Sequence, residues 1–253
     1  MTHADHLIAI FLVVLSPLLS GMLGLRRLRM ATPGGVAAAR ARTYGRVVVT
    51  QWARVGAVVW IWVWARRSFA DLGLAWRGGW GTIGALVGVA VVVAFMLRQR
   101  REALADPDGR DEIRARLEPT RPLLPHDRAE YAGFAVVAIT AGICEEILYR
   151  GYLPWYFAHV MPWWAAMLAA AAAFGFGHAY QGARGMLVTA LLGAFLGAVY
   201  WLTGTLVVPM LIHALMDLHS GDLAWRVYAA EVDDFAPPLA DEGDPDGGPV
   251  DAA

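Results

Sequence analysis

The feature that most constrains this chain is a group of three charges inside a long apolar run. The charges are Glu145, Glu146 and Arg150, and the run extends from about residue 131 to 160. A charge at the centre of a membrane-spanning helix costs about 2.5–3.5 kcal/mol, whereas each Leu, Ile, Val or Phe returns only about 0.3–0.6 kcal/mol. Three charges cancel most of the insertion energy, even if Glu146 and Arg150 pair at i,i+4. We therefore interpret this run as a functional site.

The composition is that of a membrane protein. Of the 253 residues, 58% are hydrophobic, and the mean hydropathy is +0.46. Both values are too high for an ordinary soluble domain of this length, so we predict an all-α fold, a polytopic bundle of transmembrane helices. About seven apolar segments can be distinguished, at residues 7–23, 47–65, 82–97, 131–160, 163–179, 186–202 and 206–219.

Charge divides the chain into three parts. The formal net charge of −1 is the sum of two unequal parts. The C-terminal end holds eight acidic residues and no basic one, and the rest of the chain carries a net charge of +7. We predict transmembrane helices and a charged cytoplasmic connector in residues 1–130, a helical core that contains the candidate site in 131–220, and an acidic, disordered tail in 221–253. The acids of the end are Glu231, Asp233, Asp234, Asp241, Glu242, Asp244, Asp246 and Asp251.

The distribution of arginines predicts the orientation. Six arginines lie between the first two segments and eight between the third and fourth, but only three between the second and third. Loops rich in arginine face the cytoplasm, so we expect the N-terminus outside and the acidic tail inside. All basic residues are arginine, which indicates a GC-rich coding sequence and a bacterial inner membrane. Arg54 is an exception, because it lies within the second apolar segment.

Three more ionisable residues lie at membrane depth in the C-terminal half. His178 ends the fifth segment, and His213 and Asp217 occupy one face of the seventh at i,i+4. Taken singly, His178 is compatible with a place at the membrane interface, and the other two with a mutually satisfied buried pair. Together with Glu145, they place ionisable groups on three segments. Because such groups face a bundle interior or a water-filled cavity, we predict that they form one site.

Three short motifs occur in order along this half of the chain. EEILYR, at 145–150, fits EExxxR; FGFGH, at 174–178, fits FxxxH; and HALMD, at 213–217, fits HxxxN/D. In this order they resemble the CPBP family of intramembrane proteases, which includes the type II CAAX prenyl endopeptidases and bacterial relatives linked to bacteriocin processing and immunity. The resemblance covers roughly residues 131–220. Asp217 stands where asparagine is common in the family.

The resemblance implies peptide hydrolysis by water that a glutamate activates, without a metal or another cofactor. On the matching positions, Glu145 is the general base, and His178 orients the water and can protonate the leaving amine. His213 faces the developing oxyanion, and Asp217 holds it in the donating form.

The same resemblance indicates the partners. Glu146 and Arg150 are expected to support the site as an ion pair rather than to react. The substrate is expected to be a membrane-embedded or lipid-anchored peptide or protein, cleaved within the lipid bilayer, and no nucleic acid partner is expected.

Helix geometry adds one condition. If the fourth segment ended at Arg150, Glu145 and His178 would lie near opposite membrane faces, about 15 Å apart along the axis. The site closes only if the helix continues through Gly151–Phe157, bent at Pro154. We therefore predict a long fourth helix.

Four alternatives remain open at this stage. Two histidines and several carboxylates also suit a zinc or iron(II) protease, although no HExxH motif is present. Cys144 could be a thiol nucleophile, but on a helix it points about 100° away from Glu145. A non-catalytic immunity or chaperone-like membrane protein would keep the fold without the chemistry. A proton-coupled transporter would need symmetry between halves, and the sequence shows no internal repeat.

Overall fold

The computed structural model describes residues 1–17, 35–75 and 79–234, and this part of the chain is helical without strands. The predicted all-α class is confirmed. The helices are α1 (His3–Leu15), α2 (Val36–Trp64), α3 (Trp80–Ala105), α4 (Pro107–Leu117), α5 (Arg128–Phe157), α6 (Trp163–Gly177), α7 (Gly182–Thr203) and α8 (Val207–Asp234).

Fewer helices than predicted have the length and composition of a membrane span. Four qualify within the described residues, namely α2, α3, α5 and α7, so the predicted seven spans are not confirmed. Both α1 and α6 are apolar but shorter. The 15 residues of α6 extend about 22 Å, less than the roughly 30 Å of a hydrocarbon core. Hydropathy identified these segments, but it does not measure how long the helix is.

The predicted long fourth helix is confirmed in α5, which continues past Arg150 to Phe157. Its turn at Ile147–Tyr152 is π-helical. Pro154 lies two residues after this turn, and it cannot donate a backbone hydrogen bond to the preceding turn. The wider π turn accommodates this proline without ending the helix. Glu145 therefore lies near the middle of α5.

Helix α5 occupies the centre of the bundle and packs along both α2 and α8. Helices α5 and α8 approach closely at Gly142, where an added Cβ atom would lie 2.8 Å from the backbone nitrogen of Ala214 in α8. Near the N-terminus of α5, Glu130 forms an ion pair with the buried Arg40 of α2. These contacts fix α5 between its two neighbours.

Two regions differ from the sequence prediction. Three arginines that were counted in the first loop, Arg40, Arg42 and Arg46, belong to α2. The charged connector is largely helical, because α3 continues to Ala105 and α4 follows directly.

The seventh segment was expected to end near His219, but α8 continues to Asp234. The reason is packing, since Val227 and Tyr228 of α8 are buried against Ile113 of α4. The acidic end thus begins as helix, and the remainder of the predicted disordered tail, residues 235–253, lies outside the described residues.

We predict that Gly142→Ala destabilises the protein, because the new methyl group would meet the α8 backbone. The matched control is Gly84→Ala, on α3, where an added Cβ meets no atom within 4 Å. Alanine is the better helix former by about 1 kcal/mol, so the control should be neutral or slightly stabilising. Thermal unfolding in detergent measures both. An equal Tm for the two variants would contradict the close α5–α8 contact.

Candidate active site

The two adjacent glutamates of α5 have different surroundings. The side chain of Glu146 is completely buried, whereas that of Glu145 keeps 14% of its surface exposed. Neighbours on an α-helix point about 100° apart, so each carboxylate meets different partners. Glu146 faces the packed interior, and Glu145 faces the more open side.

Glu146 joins two cationic or potentially cationic side chains. Arg150 Nη1 donates to its Oε1 at 2.8 Å, and His213 Nδ1 lies 2.8 Å from the same oxygen. The guanidinium of Arg150 also lies over the ring of Phe174, 4.1 Å from the centroid. This buried group connects α5, α6 and α8 at one point.

The contact with Glu146 fixes the orientation of the His213 ring. A carboxylate that is paired with arginine can only accept, so Nδ1 of His213 must be the donor. Nε2 then points to the other carboxylates, 3.8 Å from Glu145 Oε2 and 3.7 Å from Asp217 Oδ2. Both distances are too long for a hydrogen bond. The reactive edge of the imidazole therefore faces Glu145 and Asp217.

The contacts of the His213 ring bear on the role expected for Asp217. Asp217 was expected to orient His213, but Glu146 Oε1 lies 2.8 Å from Nδ1 of the ring, whereas Asp217 Oδ2 lies 3.7 Å from Nε2. The spacing i,i+4 does place Asp217 on the same helix face. Its side chain nevertheless keeps 39% of its surface exposed, while the buried Glu146 approaches from α5.

His178 reaches the site from the end of α6. Its Nδ1 lies 2.9 Å from the carbonyl oxygen of Phe174, and because a carbonyl only accepts, this nitrogen carries the proton. In the neutral ring, Nε2 is then an acceptor. The Phe174 ring packs edge-on against both histidines, with centroid distances of 4.8 Å to His178 and 5.9 Å to His213. Among the described residues, no hydrogen bond or ion pair joins His178 to Glu145.

One residue of the site was missed from the sequence. Gln51 of α2 is buried, and its Nε2 donates to Glu145 Oε1 at 2.5 Å. The contact leaves Oε2 of Glu145 as the oxygen that faces His213. A buried amide within an apolar segment is the signal that could have identified it, three residues before the conspicuous Arg54.

Two of the alternatives can be compared with this geometry. Cys144 is completely buried in the main apolar core, beside Leu148, and takes no part in the polar contacts of the site. Among the described residues, no group of three or more His, Cys, Asp or Glu side chains is arranged to hold a metal ion. The contacts around Glu146 are instead those of a hydrogen-bonded ionic network.

We predict that Arg150→Ala lowers thermal stability as well as activity. Removing one partner of a buried ion pair leaves the other charge uncompensated and costs about 3–5 kcal/mol, and both members of this pair are at most 2% exposed. The matched control is Arg116→Ala, which breaks an exposed i,i+4 pair with Glu112 and should leave Tm nearly unchanged. Unchanged Tm with lost activity in Arg150→Ala would instead place the arginine at the substrate.

Comparison with known proteins supports the resemblance that the three motifs indicate. Residues 128–219 match the family model described as Type II CAAX prenyl endopeptidase Rce1-like. The match begins at the first residue of α5, ends within α8, and contains all three motifs. Neither the comparison with curated proteins nor that with solved structures finds a match.

Proposed function

We propose that this chain, whose residues 128–219 are similar to the type II CAAX prenyl endopeptidases, is an intramembrane endopeptidase that uses glutamate-activated water. The similarity carries the coarser conclusion, that of a protease in a lipid bilayer. The apolar helices agree with it. The catalytic type is the one that the resemblance of the three motifs implies, and the contacts of Glu145 support it.

The observation that carries the proposal is the 3.8 Å separation between Glu145 Oε2 and His213 Nε2. A water oxygen that lies beside the line joining these two atoms can be within hydrogen-bond distance of both. Gln51 occupies the other oxygen of Glu145, so Oε2 is the free end of the carboxylate. A water bound here is in contact with a base on one side and with a potential donor on the other.

In the proposed reaction, the water gives one proton to Glu145 Oε2 while its oxygen bonds to the scissile carbonyl carbon. The second hydrogen of the water points to Nε2 of His178, which accepts because Nδ1 donates to the backbone. The tetrahedral intermediate collapses when the carbon–nitrogen bond breaks. The leaving nitrogen takes the proton back from Glu145 or through His178, and the products are a carboxylic acid and an amine.

The oxyanion is assigned to His213. When the ring is protonated, it keeps its contact with Glu146 and gains an Nε2–H that donates to the developing charge. Glu146 and Arg150 do not reach the reacting atoms in this scheme. They hold the imidazole in place, and a preorganised donor needs no rearrangement at the moment of reaction.

We predict that Glu145→Gln abolishes cleavage of membrane peptides while the protein remains folded. Gln cannot accept the proton from water, and loss of a general base lowers the rate by about 100-fold or more. Mass spectrometry of membrane proteins from cells with and without the substitution identifies the substrate, and purified protein gives the rate. Glu102→Gln, at an exposed position on α3, is the matched control.

Retention of substantial activity in Glu145→Gln would exclude glutamic catalysis. Cys144→Ser should change little, because the thiol is buried in the core. A folded but inactive Cys144→Ser variant would restore the thiol alternative. If neither wild type nor any variant alters the membrane peptides, the non-catalytic alternative is the better one.

A further prediction concerns Asp217 and a possible metal. Because Glu146 rather than Asp217 orients His213, Asp217→Asn should remain substantially active, and asparagine can donate to the oxyanion. A metal ligand would respond differently, since loss of the anionic oxygen weakens binding. The measurement is the cleavage rate of wild type and variant with and without a strong chelator. An inactive variant together with a chelator-sensitive wild type would contradict the metal-free mechanism.

A further inference from the structure

Tyr149 is a buried residue of α5 that the reaction scheme does not use. It is 7% exposed, and its ring packs edge-on against Phe174, with the centroids 5.1 Å apart. Its hydroxyl has no hydrogen-bond partner among the described residues. A polar group in such surroundings is normally satisfied, and a phenylalanine would fill the same space without the unfavourable burial of a hydroxyl. The hydroxyl of Tyr149 therefore calls for a partner that is not a protein side chain.

The position of Tyr149 directs its hydroxyl to the candidate active site. Tyr149 follows Glu145 by four residues, and residues at i and i+4 share a helix face. Long side chains on a helix lean toward its N-terminus, which is here the direction of Glu145. On the side of α6, the hydroxyl oxygen lies 3.5 Å from the position that a Cβ atom of Gly177 would occupy. Because Gly177 immediately precedes His178, the phenol reaches from α5 to the end of α6.

The oxygen of the proposed catalytic water needs a donor. The groups that face this water are Glu145 Oε2 and the Nε2 atoms of His178 and His213, and both rings carry their proton on Nδ1 when they are neutral. All three groups are then acceptors, and the two hydrogens of the water satisfy only two of them. A proton gained by His213 is assigned to the oxyanion and does not hold the water before the attack. A phenol is a suitable donor, because an ordinary phenol keeps its proton near neutral pH.

We propose that Tyr149 is a further catalytic residue, whose hydroxyl donates a hydrogen bond to the oxygen of the water that Glu145 activates. This inference rests on the proposed endopeptidase function. The hydroxyl occupies one lone pair of the water, while the two hydrogens point to Glu145 and His178. The other lone pair is then free to bond to the scissile carbonyl carbon. Tyr149 keeps its own proton throughout, so the proton transfers of the reaction are unchanged, and the hydroxyl selects one orientation of the water.

The kinetic test removes only the hydroxyl. Tyr149→Phe keeps the ring against Phe174, so the variant should fold with a Tm that is unchanged or slightly raised. The matched control is Tyr156→Phe, which removes a hydroxyl near the C-terminal end of the same helix, where it contacts His6. Cleavage is measured with the full chain in lipid nanodiscs, on the membrane peptide whose release depends on Glu145. Rates are expressed per folded protein, as determined by gel filtration.

We expect Tyr149→Phe to lower kcat by about tenfold to a hundredfold, because the water is no longer held in one orientation. KM should change little, since the hydroxyl contacts the water and not the substrate. Tyr156→Phe should keep the kcat of the wild type. Equal kcat in Tyr149→Phe and wild type would overturn the inference, and so would an effect confined to KM or an equal loss of kcat in the control.

Infrared spectroscopy tests the hydrogen bond without a substrate. The difference spectrum between the protein and Tyr149→Phe isolates the C–O stretch of this phenol, whose frequency depends on whether the hydroxyl donates. We expect a donating hydroxyl, and we expect the band to shift in the Glu145→Ala background, where the water loses its carboxylate. The band should not shift in the Glu102→Gln background, which changes an exposed position on α3. A hydroxyl that does not donate, or a band that is indifferent to Glu145, would overturn the inference.

The two measurements keep this inference separate from the proposed function. An active Tyr149→Phe variant together with an inactive Glu145→Gln variant would remove Tyr149 from the reaction and leave glutamic catalysis in place. Cleavage by Glu145→Gln would instead overturn the proposed function. The infrared band would then still decide whether Tyr149 holds a water beside Glu145.

Discussion

The arrangement depends on one buried carboxylate oxygen, Oε1 of Glu146, which is in contact with both Arg150 and His213. Separating these groups would leave charges unpaired in an apolar interior, at a cost of several kcal/mol. The contact joins α5 to α8 and sets the tautomer of His213. It also keeps Nε2 of this ring directed at Glu145. A single oxygen thus couples the packing of the helices to the geometry of the candidate active site.

Backbone features bring this contact about. Gly142 lets α8 approach α5 more closely than any side chain would allow, one turn before the glutamates. The π turn before Pro154 carries α5 past Arg150, so Glu145 lies well inside the bundle and not at its end. Helix α6 is short, and His178 at its end therefore reaches the same depth. The long α5 and the short α6 together place the polar groups at a similar depth along the bundle.

The sequence predicted the parts that follow from local patterns. Charges in an apolar run located Glu145 and Arg150, and axial distances required the long α5 that the structure contains. The number of membrane spans was harder to predict, because hydropathy does not give the length of a helix. The contact partners of the polar side chains were also harder to predict, because no local pattern links residues of different helices. Gln51, for example, is 94 positions from its partner Glu145. The i,i+4 spacing favoured Asp217 as the partner of His213, but it carries no information about Glu146, which approaches from α5.

Direct attack by water, without a covalent intermediate, is tested by cleaving a membrane peptide in the presence of hydroxylamine and analysing the new C-terminus by mass spectrometry. If Glu145 activates water at the carbonyl, the product is the free carboxylic acid at every hydroxylamine concentration. An acyl-enzyme on a thiol or carboxylate would be intercepted by the stronger nucleophile and would yield a hydroxamate. A hydroxamate that increases with hydroxylamine, in wild type and not in a heat-inactivated sample, would contradict the mechanism.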